Sequence, residues 1–178
     1  MSVHPNRPAT GNARGLILAV VLAIVVTLAL VAFSMHTPVA APQVAFVSLT
    51  GEKITIAGLK GRVVLVNFWA TDCPICIKEM PDMVRTYDRF RGNGLEFIAV
   101  AMRHDPPNYV IRFAEKNRLP FKVALDPLGE HAQAFDGVKF TPTTFVIDKR
   151  GDIVFRMTGE PDFAKLNQLL EEKLAERV

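Results

Sequence analysis

"VVLVNFWATDCPICIKEMP", residues 63–81, joins an uncharged apolar run to two cysteines separated by a proline and an isoleucine. The β-branched and aromatic stretch at 62–70 is of the kind buried on both faces of a parallel sheet. After Cys73 the apolar positions Cys76, Met80, Met83, Tyr87 and Phe90 recur at steps of four and three, which is one face of a helix. "GNG" at 92–94 closes that helix. Pro74 suits the first helical position, where its missing N–H would have no partner anyway. Cys73 is then the N-cap, where free backbone N–H groups and the positive end of the helix dipole meet. A thiolate is stabilised there, and thiol pKa values at such sites fall from about 8.5 to roughly 3.5–7.5. Cys76 lies one turn deeper and faces the interior. The pair is one exposed nucleophile and one shielded sulfur able to attack a mixed disulfide.

The pattern continues on both sides. "VAFVSL" (44–49) and "KITIAG" (53–58) flank Thr50-Gly51-Glu52 and predict a hairpin. "LEFIAVAM" (95–102) reads as a second buried strand, followed by a helix at 107–118, a short strand at 121–125 and a helical turn near 129–135. "TTFVID" (143–148) and "DIVFRM" (152–157) form a hairpin around Lys149-Arg150-Gly151. Residues 162–176 close the chain as an amphipathic helix capped by Asp162. This order describes an α/β fold, a central mixed sheet flanked by helices.

Residues 16–33 are eighteen positions without a charge. At about 1.5 Å per residue they nearly cross a hydrocarbon layer of roughly 30 Å. Arg7 and Arg14 precede the run and no Lys or Arg follows until Lys53, which orients residues 1–15 to the cytoplasm and the rest outward. The run is longer than the apolar stretch of a cleaved signal peptide, and Pro38 and Pro42 compromise the nearest small-residue site. The expected organisation is a transmembrane anchor at 16–33, an extended linker at 34–43 and one domain at 44–178. Arg7 and Arg14 are two of 21 basic residues, leaving 19 against 18 acidic ones. That balance gives no electrostatic footprint for nucleic acid.

Three other chemistries compete with redox exchange for the cysteine pair. A structural zinc site wants four ligands, but the chain has two cysteines, and His104 and His131 stand far apart. Two thiolates suit Cu(I), so a copper chaperone with His104 or His131 as third ligand is the rival to redox exchange. A structural disulfide closing so small a loop would constrain the unfolded chain very little.

The quoted stretch, together with "KFTPTTFVIDKRGDIV" (139–154), resembles the TlpA/ResA-like branch of the thioredoxin superfamily, membrane-anchored or exported thiol–disulfide oxidoreductases of bacteria. The likeness covers about residues 44–178 and includes the N-terminal hairpin, the inserted helix and strand at 107–125, and the preceding anchor. It implies a thioredoxin-like fold in which Cys73 attacks, Cys76 resolves, and the dithiol works without a cofactor. It implies a cis bond before Pro142, which sequence alone would make trans. Thr141 would offer its backbone to an extended substrate segment. Glu79 matches an acidic residue one turn beyond the second cysteine and would handle protons. Trp69 is expected in the core and at the rim of the site, where substrate binds. The resemblance also implies a periplasmic or extracellular domain on the bacterial inner membrane. Its electrons would come from a membrane thiol transporter, and its substrates would be disulfides of exported proteins such as apocytochrome c or copper-site maturation factors. A peroxidase is disfavoured, because P-x-x-x-T-x-x-C would need threonine at position 70, which is alanine.

The chain departs from the family in three places. Asp72 stands where a tryptophan usually precedes the first cysteine, and its carboxylate opposes the helix terminus in setting the Cys73 thiolate. Pro-Ile between the cysteines is less usual than Glu-Pro or Pro-Pro. Asn67 replaces the buried aspartate of cytoplasmic thioredoxins, which moves proton handling toward Glu79.

Overall fold

A computed structural model describes residues 12–34 and 39–177, with side chains over 15–28 and 39–177. The chain divides into two compact units, residues 1–37 and 38–178. The first holds helix α1 (Asn12–Ser34), whose described side chains are all exposed. Among the described residues no helix is long and apolar enough to cross a membrane, so the span expected at 16–33 is not found among them. Its last five side chains, Arg7, Arg14, most of the cytoplasmic segment and residues 35–38 of the linker lie outside what is described.

The second unit is built on a six-stranded mixed sheet. Its order is β1 (Val39–Ala40), β8 (Asp152–Thr158), β7 (Thr143–Ile147), β4 (Val63–Trp69), β5 (Leu95–Ala101), β6 (Lys122–Leu125). Strands β4, β5 and β6 run parallel, whereas β7 opposes β4, and β8 opposes β7. Every residue of β4 is buried, because its alternate side chains feed two cores. Val63, Leu65 and Trp69 join Met80, Met83 and Phe90 of α2 (Pro74–Phe90) and Leu166 and Leu170 of α5 (Phe163–Ala175). Val64, Val66 and Phe68 pack with Phe46 and Ile54 of the hairpin β2 (Ala45–Val47) and β3 (Lys53–Thr55). Phe135, at the end of α4 (Glu130–Ala134), completes that second core. The inserted helix is α3 (Pro107–Asn117), which adds Val110 and Phe113 to the first core. Asp162 caps α5 by accepting from the N–H groups of Ala164 and Lys165.

The expected linker needs correction. Val39 and Ala40 pair with Ile153 and Asp152, and buried Ala41 donates its N–H to the Gly151 carbonyl at 2.9 Å. The folded unit therefore starts before Val44. The new strand stops before Pro42, which has no N–H to give to the ladder.

Candidate active site

Strand β4 delivers the cysteine loop to the end of the sheet, and a network fixes that loop. Buried Asp105 accepts from the Thr71 N–H and from the Thr71 hydroxyl, both at 2.6 Å. Met102 donates its N–H to the Trp69 carbonyl at 3.0 Å. Cys73 is the N-cap of α2, extended at φ −95° and ψ 105°, with Pro74 at the start of the helix. The Cys76 N–H donates to Cys73 Sγ at 3.2 Å, so an unpaired N–H of the first turn points at the sulfur. The two cysteines are joined in a disulfide, with Cα atoms 5.2 Å apart. Cys73 is half-buried and Cys76 is completely buried. Ile75, between them, is 47% exposed.

Behind the pair lies a polar cluster inside an apolar core. Glu79 shares the inner face of α2 with Cys76 and is completely buried. Asn67 points at it from β4 and donates from Nδ2 to Glu79 Oε1 at 3.1 Å and to Thr144 Oγ1 at 3.1 Å. Among the described residues Glu79 Oε2 and Asn67 Oδ1 are buried with no protein partner. Burial pushes the Glu79 carboxyl up from its usual 4.5 to about 8; the Asn67 hydrogen bond opposes this and the charge of Glu160 adds to it. Glu79 thus holds its proton near neutral pH. Pro81 stands inside α2, where it cannot donate a helical bond.

The Thr141–Pro142 bond is cis, as the resemblance implied. Phe68 pairs with Thr143, so this bond arrives at the same end of β4 as the cysteines. Buried Pro142 accepts from the Gly159 N–H at 2.8 Å, and the Thr143 hydroxyl donates to the Phe140 carbonyl at 2.7 Å. Among the described residues Thr141 forms no backbone–backbone hydrogen bond, which leaves its main chain available to an incoming strand. Phe140 beside it is 70% exposed.

Trp69 corrects the expectation that it lines the rim. It is 0% exposed, with its ring 5.2 Å from that of Phe113, and cannot touch a protein substrate. Strand alternation puts it on the same face as Leu65, beneath α3. His131 is occupied: Nδ1 lies 3.1 Å from Asp126 Oδ1 and Nε2 lies 3.2 Å from the Ala45 carbonyl. His104 is exposed and stands 3.4 Å from Asp72. Among the described residues no group of three or more His, Cys, Asp or Glu could hold a metal, so the third ligand of the copper reading is not assembled. The loop anchor Asp105 was not singled out in the sequence, because nothing in its spacing links it to Thr71, 34 residues away.

A family model described as Redoxin matches residues 37–170. The chain is 35% identical over 133 residues to the thiol-disulfide oxidoreductase ResA of Bacillus thuringiensis subsp. konkukian, across 74% of this chain and 75% of that one. It is 36% identical over 124 residues to ResA of Halalkalibacterium halodurans, across 70% and 67%. Among solved structures, a thioredoxin-family thiol:disulfide interchange protein of Chlorobium tepidum superposes with a TM-score of 0.71 at 28% identity, across 78% of this chain and 98% of that one. StoA of Bacillus subtilis superposes with a TM-score of 0.63 at 26% identity, across 74% and 98%. With the capped cysteine pair and the cis-proline loop already in place, the chain belongs to the Redoxin family, as a TlpA/ResA-like thiol–disulfide oxidoreductase of the thioredoxin superfamily.

Proposed function

We propose that this oxidoreductase is tethered to the bacterial inner membrane through residues 16–33 and reduces disulfides of exported proteins on the far side. One observation carries the chemistry: a partly exposed cysteine at a helix N-cap, bonded to a wholly buried one. In the reduced protein the Cys73 thiolate attacks one sulfur of a target disulfide, and the other target sulfur leaves as a thiolate. Cys76 then loses its proton and attacks Cys73 Sγ, which releases the second target thiolate and forms the Cys73–Cys76 disulfide. Two electrons pass to the target, whose thiolates take up two protons. Glu79 is the buried group on the Cys76 face able to accept the resolving thiol's proton once its own has gone. The free main chain of Thr141 receives the target segment as an added strand.

The tether rests on the uncharged run, on Arg7 and Arg14 before it and on the stretch without Lys or Arg that follows as far as Lys53, and the far-side location follows from them. A membrane thiol transporter as electron donor, and apocytochrome c or copper-site maturation factors as targets, rest on the family resemblance. Trapping with Cys76→Ser tests the reading. A mixed disulfide between Cys73 and an exported protein should accumulate, and its absence in cells that express the variant would refute the proposal.

A further inference from the structure

Beside the cysteine loop a cleft of about 870 Å³ opens, its lining including Arg103, His104, Leu128, Gly129, Glu130 and Lys139. Two of its lining residues stand near parts of the active site. His104 pairs with Asp72, the residue before Cys73, and Lys139 lies two residues before Thr141. The cleft thus lies next to the cysteine loop on its His104 side.

Its lining carries two cations, Arg103 and Lys139, against Glu130, with Asp72 standing beyond His104. Arg103 and Lys139 are exposed, and among the described residues neither forms an ion pair, whereas Lys78 and Arg150 each have a carboxylate partner. Glu130 is the one acidic side chain in the lining. The Arg103 stem passes close to the glycine that opens α4: a Cβ built on Gly129 would meet Arg103 Cδ at 3.2 Å. A guanidinium can grip a carboxylate through two parallel hydrogen bonds. Leu128, 72% exposed, adds an apolar surface to the same lining.

We propose that this cleft receives an acidic segment of the target protein flanking its disulfide, with Arg103 and Lys139 as specificity-determining residues. The inference rests on the reductase reading above and adds the charge of the substrate it selects. Opposite charges across such a contact raise the association rate and reject basic partners.

The test uses the full chain, reduced beforehand and reacted in single turnover with two disulfide-bonded peptides. One carries two Asp residues beside a cysteine, and the other carries Asn at the same places. The Asp peptide should react about tenfold faster at low salt, an advantage that vanishes near about 1 M salt, where the Debye length is about 3 Å. In the Arg103→Gln/Lys139→Gln double variant the ratio should fall to about one. Using the ratio cancels any change in Cys73 reactivity common to both peptides. A ratio near one in the unmodified protein, or one unchanged in the double variant, overturns this inference alone. Failure to reduce either peptide overturns the reductase reading and this inference with it.

Discussion

Replacing Glu79 by glutamine should remove one large contribution to the pH dependence of the protein's stability, the one that its buried carboxyl makes. Burial is the main reason that the folded-state pKa stands at about 8 against 4.5 for the exposed group. Between these values the unfolded chain has lost its proton and the folded chain keeps it. The sign follows: Glu79 costs nothing extra below pH 4.5, and stability falls as pH rises toward 8, by about 1.4 kcal/mol per unit. Over the whole interval the loss reaches about 5 kcal/mol, a large share of a domain's typical 5–15 kcal/mol. Glutamine carries no charge at any pH, retains an oxygen for the Asn67 amide, and is nearly the same size. Oxidised protein is used, so neither cysteine titrates. Guanidinium unfolding followed by fluorescence of the single tryptophan, buried Trp69, gives the stability of each form. The variant should match the parent near pH 5 and exceed it by several kcal/mol near pH 8. Subtraction cancels contributions from carboxylates such as Asp148 and Asp162. For Asp148, burial acts upward but is outweighed by N–H groups and Arg150, and for Asp162 the Lys165 N–H leads; both end below their usual value. A difference between parent and variant that does not change with pH would refute the assignment of a buried, protonated Glu79.

Two further outcomes follow from the loop around the cysteines. Asp105→Ala removes both hydrogen bonds to Thr71 and should destabilise the oxidised protein by roughly 3–6 kcal/mol, since hydrogen bonds to a charged group are each worth about 1.5–3 kcal/mol. Chemical denaturation measures this, and a loss below about 0.5 kcal/mol would show that the loop does not depend on Asp105. Asp72→Ala removes the exposed carboxylate next to Cys73 and should lower the pKa of that thiol; a thiolate-absorbance titration with no downward shift would dismiss the effect.

The sheet and its helices were legible because the sequence alternates between unbroken apolar runs and a periodic helical face. Strand β4 needs apolar side chains on both faces, and the cap at Cys73 is written in the Cys-Pro junction. Other features depend on partners distant in the chain. Val39–Ala40 is too short for any periodicity and becomes a strand only because β8 offers an edge. Trp69 ends a buried strand beside the cysteines, which reads equally as rim or core until α3 is placed over it. Glu79 was legible as a residue on the Cys76 face, but its burial against Asn67 and Thr144 requires the pairing of β4 with β7. The cis bond at Pro142 was accessible through family resemblance, since a lone X–Pro favours trans. The cleft beside Arg103 assembles residues from three segments, and no local pattern announces it.

The most direct measurement is the order in which the two thiols react. Reduced protein is treated briefly with a limiting amount of iodoacetamide at several pH values, and each cysteine is mapped by mass. Alkylation at Cys73 first is the result that a partly exposed cysteine at a helix N-cap, bonded to a buried partner, predicts. Modification of Cys76 first, or of both at equal rates, would contradict the account.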